Sequence, residues 1–292
     1  MAMGGSIEVM LRGGLGNQMF QYALGRALSI RSGLPLVFDL SALGFDVAVV
    51  RKYELACFRL CEHGMRKLPV PVHWAREKGL RILARFRSGP GYLIKEPSIA
   101  FEPGVLCRDR PCRLDGYWQS ERYFDSISAR LRVDFEFLPP QDPRNANCSA
   151  RIQMTNAVGL HIRRSDYVSD PTTSAFHGTC SSEYYDAALK LVRSRLGSDP
   201  ELFVFSDDIE WVRENLSFPF PATCIDWNQG RGFEDLRLMS ACRALVIANS
   251  AFSWWAGWLN PDPRKLVVAP RRWYRAAGMF SELPDSKWLI AL

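Results

Sequence analysis

The feature that most constrains the fold is the regular alternation of short apolar segments and amphipathic segments in the second half of the chain. Strands are predicted at 158–162, 202–205, 223–225, 244–248 and 266–269, and helices at 182–196, 209–216, 233–242 and 251–259. Strands that alternate with helices form parallel sheets that helices cover on both faces. The sequence therefore predicts an α/β fold with a parallel sheet.

A second α/β pattern opens the chain. A predicted strand at 7–12 leads into the glycine-rich turn Gly13–Gly16, an amphipathic helix that ends at Gly33, and a strand at 36–40. Such glycines let backbone amides approach a ligand at a helix N-terminus, although a tight strand-to-helix turn alone uses the same residues. The dinucleotide-binding fingerprint is not met, because Met19 occupies its third glycine position.

The region between these two patterns is broken by prolines. Residues 72–87 predict a basic amphipathic helix, which would lie on an acidic membrane or pack, solvated, on its domain. Gly116–Ser120 is a polar and aromatic segment typical of sites that stack on sugar rings, and core packing explains its Tyr and Trp equally well. The proline-rich stretch 138–143 resembles a linker and predicts two domains, 1–145 and 146–292.

Composition narrows the class of protein. The 292 residues carry a formal net charge of +6, which favours anionic small molecules or an acidic membrane face over nucleic acid. The eight cysteines are scattered without the spacing of a zinc site, so reduced thiols and no bound metal are expected. No apolar run reaches the roughly 20 residues of a membrane span. No signal-peptide pattern is present, so we expect a cytoplasmic protein, with peripheral membrane contact as an alternative.

Charged residues gather behind the predicted strand 158–162, in the segment His161–Val168. The arginine side chain is a rigid fork of donors suited to phosphate or carboxylate, so Arg163 and Arg164 indicate an anion site, with surface salt bridges as the alternative. Polar residues also follow the other predicted strands, at 206–208, 226–227, 249–250 and 270–272. Because carboxyl ends of parallel strands share the edge where α/β sheets bind ligands, this clustering favours a ligand site.

Two kinds of group at this edge suit a nucleotide. Ser250 opens the predicted helix 251–259, where its hydroxyl and the first amides could hold a pyrophosphate together with Arg163, or where it could simply cap the helix. Asp207 or Asp235 could accept from N1–H and the 2-amino group of guanine, or cap a neighbouring helix. No two aspartates stand two positions apart, so arginine would neutralise a leaving diphosphate in place of a metal.

Three segments resemble glycosyltransferase family 11, the α-1,2-fucosyltransferases. They are 13–23 (GGLGNQMFQYA), 161–167 (HIRRSDY), and 235–240 (DLRLMS) through 249–255 (NSAFSWW). The resemblance implies a GT-B architecture, in which two Rossmann-like α/β domains flank a cleft. It also implies transfer of fucose from GDP-fucose to the 2-hydroxyl of a galactose residue, with inversion and without a metal or other cofactor.

The resemblance also implies roles for residues. His161 and Arg163 would contact guanine and diphosphate, Asp235 guanosine, and Ser250 phosphate, while Asn17 would face the reaction centre across the cleft. Family members usually have serine at position 251, so Ala251 keeps only its backbone amide for a contact. The full donor-binding set is Asn17, His161, Arg163, Asp207, Asp235, Asn249, Ser250, Ala251, Phe252 and Ser253, and the acceptor-binding set is Asn17, Gln18 and Tyr167.

The expected partners follow from the same resemblance. Domain 1–145 would be the acceptor side and domain 146–292 the GDP-fucose side, with the place of the last segment left open between them. The acceptor would be a galactose-terminated oligosaccharide or a lipid-linked glycan, and nucleic acid is not expected. The lack of an animal-type membrane anchor is typical of bacterial members.

Other classes of function are also considered. A nucleotide-sugar-binding module without catalysis would bind GDP without transferring fucose, and a fucosyltransferase of another linkage would give a different product. A nicotinamide-dependent sugar-nucleotide enzyme would change NAD(P)H absorbance, which we do not expect.

Asp166 provides the first test. It is a candidate catalytic residue beside Arg163, either as the base that takes the acceptor proton or as the group that orients Arg163 or Arg164. A general base contributes roughly 10² to 10⁴ in rate, so Asp166→Asn is expected to lose most transfer of labelled fucose to lactose while GDP binding persists. Unchanged turnover would remove Asp166 from the mechanism.

Overall fold

The structure, a computed structural model, describes residues 5–43, 51–61, 63–67, 92–140, 142–197, 200–275 and 286–292. The chain forms two compact units, Met1–Phe137 and Leu138–Leu292. The sequence placed the boundary between 145 and 146, which lies inside the helix Pro143–Met154. Asp142 caps this helix by accepting from the Arg144 amide, so the end of the proline-rich stretch begins a helix instead of continuing a linker.

The first unit contains a parallel sheet with the strand order β3-β2-β1-β5-β4. Its strands are β1 (Ile7–Met10), β2 (Leu36–Asp39), β3 (Gly64–Arg66), β4 (Leu93–Lys95) and β5 (Cys112–Asp115). Its α-helices among the described residues are α1 (Leu15–Ser32) and α2 (Ser128–Asp134), and 3₁₀ turns occupy Leu55–Cys57, Pro103–Cys107, Glu121–Tyr123 and Asp125–Ile127. The predicted strand, glycine turn, helix ending at Gly33 and second strand are confirmed.

The second unit contains a parallel sheet with the order β11-β10-β9-β6-β7-β8. The strands are β6 (Ala157–Ile162), β7 (Glu201–Ser206), β8 (Ala222–Ile225), β9 (Ala244–Val246), β10 (Leu266–Ala269) and β11 (Leu289–Ala291). The helices are α3 (Pro143–Met154), α4 (Ser165–Ser169), α5 (Pro171–Phe176), α6 (Ser182–Leu196), α7 (Ile209–Asn215), α8 (Gly232–Ala241) and α9 (Ala251–Leu259).

The predicted alternation of this unit is confirmed. The bounds of α6, α9 and β10 are as predicted, and the other predicted elements differ from the observed ones by one or two residues at an end. The sequence did not predict α3, α4, α5 or β11. Since β11 pairs with β10, the last strand extends the sheet of the second unit.

The two faces of β6 explain how the site is supported. Val158, Leu160 and Ile162 belong to the buried cluster that helix α6 covers, together with residues of β7 and β9. Because successive side chains of a strand point to opposite faces, His161 lies on the other face of β6. There its ring packs against the ring of Phe252 in α9, with the centroids 5.6 Å apart. The apolar strand thus carries one polar side chain into the core at its end.

Among the described residues, no helix combines the length and apolarity that crossing a bilayer requires. The predicted basic helix at 72–87 lies outside the described residues.

Packing of α1 on the first sheet gives a stability prediction. A Cβ atom at Gly25 would come within 2.4 Å of the Val9 Cγ2 atom and 2.9 Å of the Leu36 Cδ1 atom. We expect Gly25→Ala to lower the free energy of unfolding by about 1–3 kcal/mol in urea titrations, because overpacking outweighs the better helix propensity of alanine. Ile30→Ala, at an exposed position of the same helix, is the matched control and should change stability by only about 0.5 kcal/mol. A stabilised Gly25→Ala protein would contradict this packing.

Candidate active site

The site lies at the carboxyl edge of the second sheet. All of its strands run parallel, so the residues that follow them meet at one edge. This edge collects the segments that the sequence singled out, which are Arg163–Arg164 after β6, Asp207–Asp208 after β7, Asp226–Trp227 after β8, Asn249–Ser250 after β9, and Arg271–Arg272 after β10.

Arg163 is held by Asp207. The Arg163 Nη1 atom lies 2.8 Å from the Asp207 Oδ2 atom, and both side chains are about four-fifths buried, at 23% and 21% exposure. The other oxygen of Asp207 accepts from the Arg164 backbone amide at 2.9 Å. A guanidinium offers five donors in a rigid fork, and the ion pair with Asp207 fixes the orientation of this fork.

The side chain of Arg164 contacts Asp208 and Trp211. Its Nε atom lies 3.3 Å from the Asp208 Oδ2 atom, and its guanidinium carbon stacks 3.4 Å from the centroid of the Trp211 ring in α7. Both arginines therefore form ion pairs, as the salt-bridge alternative expected, but their acidic partners belong to the same sheet edge. Asp208, not Asp207, caps α7 by accepting from the Trp211 amide. The cap alternative for Asp207 is therefore wrong.

The N-terminus of α9 is not closed by its own side chain. Ser250 occupies the N-cap position, but its hydroxyl makes no capping hydrogen bond. The amides of Ala251, Phe252 and Ser253 belong to the first turn, where helix amides have no partner within the helix. These donors and the positive end of the helix dipole can bind an anion. The Ser253 hydroxyl itself is buried and donates back to the Ala248 and Ser250 carbonyls.

Tyr167 links Arg163 to this helix terminus. Its hydroxyl donates to the Asn249 carbonyl at 3.2 Å, and the Arg163 guanidinium carbon lies 5.3 Å from its ring centroid. The ring stacks on His177 at 4.7 Å and is 8% exposed. In this structure Tyr167 is mostly buried and supports Arg163 and the start of α9, and its contact with an acceptor stays a prediction.

Asn249 is likewise structural in this geometry. The side chain is 3% exposed, and its Nδ2 atom donates to the carbonyls of His177, Gly178 and Trp273. These bonds hold the loops after α5 and β10 around the start of α9. The expected donor contact of Asn249 is thus replaced by an indirect role, in which it fixes the position of Ser250.

His161 is buried and neutral. Burial, with the positive charge of Arg163 as a further cause, lowers the pKa of His161 to about 3. Its Nδ1 atom has no hydrogen-bond partner within the part of the chain that the structure describes. The Phe252 ring lies against it, and a Cβ at Gly232 of α8 would lie 3.9 Å from that ring. His161, Phe252 and the start of α8 therefore form one largely apolar neighbourhood.

Asp235 lies in the first turn of α8 and is oriented by an asparagine pair. The Asn228 Nδ2 atom donates to Asp235 Oδ1 at 2.8 Å. Asn228 is in turn held by reciprocal amide bonds to Asn145 at 2.8 and 3.0 Å, and Trp227 Nε1 donates to the same Asn145 oxygen. Sequence reasoning missed this pair, because Asn145 lies outside the elements predicted from the sequence and no local pattern joins it to Asn228.

Burial changes the titration of Asp235. It raises the pKa of Asp235 to about 7, the nearby Glu234 carboxylate adds to the shift, and the Asn228 hydrogen bond opposes it. The carboxylate of Glu234 is itself buried beside Arg237, with the Arg237 Nε atom 3.2 Å away. The hydrogen bond from Asn228 thus fixes one oxygen of the Asp235 carboxyl group, and burial raises the pKa of that group.

Two predicted site residues of the first unit, Asn17 and Gln18, lie in the first turn of α1. Gln18 is completely buried, and its Nε2 atom donates to the Gly13 and Lys52 carbonyls while its Oε1 atom accepts from the Glu54 amide. Gln18 therefore braces the loop and presents no polar atom to an acceptor. Asn17 is partly exposed and accepts from Gln119 Nε2 at 2.6 Å, and its role at a reaction centre stays a prediction.

Asp166 lies in helix α4, but its side chain is outside what the structure describes. Its choice between base and orienting group therefore stays a prediction. Asp207, which was predicted as a nucleotide contact, already supplies an orienting carboxylate to Arg163.

Comparison with known proteins defines the class. The fold is similar to that of a FUT1 variant from Arabidopsis thaliana in complex with GDP, at a TM-score of 0.51 and 11% identity over 90% of this chain and 72% of that chain. With its two units of parallel α/β sheet, the chain has the GT-B fold of glycosyltransferases.

Comparison of the sequence identifies the family. The model of glycosyl transferase family 11 matches residues 105–287, and the chain belongs to this family. It is 32% identical to an alpha-1,2-colitosyltransferase of Escherichia coli over 97% of this chain and 98% of that protein. It is 25% identical to the galactoside 2-alpha-L-fucosyltransferase Sec1 of Mus musculus over 88% of this chain and 65% of that protein. The family predicted from the sequence is confirmed.

The raised pKa of Asp235 predicts a pH dependence of stability. A folded-state pKa of about 7, above the unfolded value of about 3.9, means that the favourable contribution is complete below about pH 4 and is lost as the pH rises through 7. We therefore expect the stability of the wild type, relative to Asp235→Asn, to fall between pH 4 and 7 in urea titrations. Other groups, His161 included, titrate in both proteins and cancel in this difference.

The matched control for this prediction is Asp262→Asn. A backbone hydrogen bond from Arg264 lowers the pKa of the Asp262 carboxyl, so its contribution changes only at lower pH and should be flat between pH 5 and 7. A wild-type-to-Asp235→Asn difference that is equally flat would contradict the burial of Asp235.

Proposed function

We propose that this family 11 glycosyltransferase transfers L-fucose from GDP-fucose to the 2-hydroxyl of a galactose residue, with inversion and without a divalent metal. The observation that carries the proposal is the arrangement at the second sheet's edge, where Asp207 orients Arg163 and Tyr167 connects Arg163 to an uncapped helix N-terminus. Transfer would make the enzyme a galactoside 2-alpha-L-fucosyltransferase.

The diphosphate would bind between Arg163 and the start of α9. The leaving GDP gains negative charge as the bond from fucose to phosphate breaks, and donors fixed in advance at that point stabilise the transition state. Arg163 would supply charge and direction, while Ser250 and the first amides of α9 would supply hydrogen bonds and the helix dipole. A charged arginine in this place does the work that a divalent cation does in other enzymes, which is why we propose metal-independent transfer.

The guanine would bind beside His161 and Phe252. Two observations support this, namely the contact between the two aromatic rings and the carboxyl group of Asp235 in the first turn of α8. As a carboxylate, Asp235 can accept from both N1–H and the 2-amino group of guanine, which adenine cannot match. Neutral His161 adds a ring nitrogen without adding charge.

Inversion needs one displacement. The acceptor hydroxyl attacks the anomeric carbon on the side opposite the diphosphate, the bond to phosphate breaks, and a β-linked donor gives an α-linked product. Alignment of the two reactants and a base for the hydroxyl proton both lower the barrier. We assign the base to Asp166, which follows Arg163 by three positions, and a galactose-terminated glycan, free or lipid-linked, to the acceptor.

A second candidate function has a specific observation in its favour. The Escherichia coli relative named for colitose transfer covers almost the whole chain at 32% identity. Colitose is fucose without the 3-hydroxyl group, so one donor site could serve either sugar according to a single polar contact. A binding module without catalysis, or a fucosyltransferase of another linkage, would use the same diphosphate site.

The test is a donor screen on the purified chain. GDP-fucose and GDP-colitose are each incubated with lactose, with EDTA present throughout, while GDP release is measured and the product linkage is determined by NMR. We expect an α-1,2-fucosyl product at a rate that EDTA does not change. Transfer from GDP-colitose alone would favour the second candidate, and GDP binding without any transfer would contradict an enzyme.

Arg163→Lys supplies the matched residue test. Lysine keeps the charge but loses the fork, so turnover is expected to fall about 10²- to 10³-fold. Arg195→Lys, at an exposed position near the end of α6, should leave turnover unchanged.

A further inference from the structure

We infer that the loop Gly116–Ser120, together with Asn17, forms a binding site for an uncharged saccharide in the first unit, with Tyr117 as its stacking platform. Under the proposed function this saccharide is the acceptor, so the inference rests on that proposal for its biological meaning. The loop follows β5, and Asn17 follows β1, its neighbour in the sheet. Both therefore lie at the carboxyl edge of the first sheet, the edge that binds ligands in α/β folds.

The conformation of the loop is unfavourable in itself and is imposed by its neighbours. Trp118 has φ at +58°, in the left-handed region that non-glycine residues rarely adopt. Its indole Nε1 atom is buried and has no hydrogen-bond partner among the residues with described positions. Features of this kind persist only where surrounding contacts enforce them, and they concentrate at functional sites.

Glu96 and the core enforce this conformation. The two carboxylate oxygens of Glu96, just after β4, accept from the consecutive amides of Tyr117 and Trp118 at 2.7 and 2.8 Å. The Trp118 ring is completely buried and packs edge-on against Tyr123, with 5.7 Å between centroids. With Trp118 anchored inside and its amide fixed, the chain turns sharply and carries Tyr117 outward, where it is 43% exposed.

Polar groups border this ring. Gln119, on the other side of Trp118, donates from Nε2 to Asn17 Oδ1 at 2.6 Å and so ties the loop to the glycine-rich turn. That turn approaches Asn17 closely, since Gly13 has φ at +67° and a Cβ there would lie 2.5 Å from the Asn17 Nδ2 atom. An aromatic face beside carboxamides fits a sugar, whose C–H face packs on a ring while its hydroxyl groups exchange hydrogen bonds.

A carboxylate already occupies the start of helix α1. The Leu15 amide, at the start of α1, donates to Glu54 Oε2 at 3.0 Å, so a carboxylate of the chain itself occupies the helix terminus. A phosphate there would meet a like charge. Asp115, at the end of β5, forms ion pairs with Arg12 at 2.7 Å and with Lys95 at 3.5 Å. The glycine-rich turn is therefore a poor phosphate site. Among uncharged ligands, a glycan fits the aromatic ring and the carboxamides that border it.

The experiment separates binding from transfer. Saturation-transfer NMR with lactose is recorded on the wild type, Tyr117→Ala, Tyr117→Phe and the control Val133→Ala, which changes an exposed apolar residue of α2. We expect a lactose signal for all except Tyr117→Ala. In the transfer assay, Tyr117→Ala should raise the KM for lactose about tenfold or more while the affinity for GDP stays unchanged, because only the stacking contact is lost.

The outcomes distinguish the two proposals. No lactose signal on the wild type, or an equal signal on Tyr117→Ala, would overturn the saccharide site whatever the transfer assay gives. A signal that depends on Tyr117, without transfer of fucose, would uphold the site and contradict the proposed function. Circular dichroism and thermal melts of each variant confirm that it is folded.

Discussion

The ion pair between Arg163 and Asp207 is the interaction on which the second unit's site depends. A guanidinium that is mostly buried needs a partner, and Asp207 supplies it from the next strand at 2.8 Å while also holding the Arg164 amide. Without the Asp207 carboxylate, the partly buried charge of Arg163 would lose this partner. The guanidinium would then no longer be held in this orientation. The same positive charge helps to keep His161 neutral. This ion pair thus fixes the orientation of the Arg163 guanidinium, and the charge of Arg163 helps to keep the neighbouring His161 neutral.

Buried side chains orient the groups that are placed to contact a ligand at two other positions of the second unit. Tyr167 and Asn249 are buried polar side chains that touch backbone carbonyls, and together they fix where α9 begins. The Asn145–Asn228 pair fixes one oxygen of Asp235. In each case a group placed to contact a ligand is oriented by a group behind it, and preorganisation of this kind is what electrostatic catalysis requires.

Much of this could be predicted from sequence because the periodic pattern of the second half is strong. Apolar strands alternate with helices, so α6, α9 and β10 were predicted at their observed bounds, and the polar segments were placed at one edge without any distance information. The prediction failed where tertiary contacts decide. Gln18 looked like a ligand contact by type, yet burial makes it a brace. The helix α3 was not predicted because it begins with a proline and contains two asparagines, and the division of the chain lies before it.

The central claim is that Arg163 and the start of α9 hold a diphosphate without a metal. Calorimetric titration of GDP and of guanosine in EDTA, on the wild type and on Arg163→Met, tests it most directly. We expect the wild type to bind GDP about 100-fold or more tightly than guanosine, and we expect Arg163→Met to lose most of this difference while it keeps its affinity for guanosine. GDP binding that requires added Mg²⁺, or that is equal in the two proteins, would contradict it.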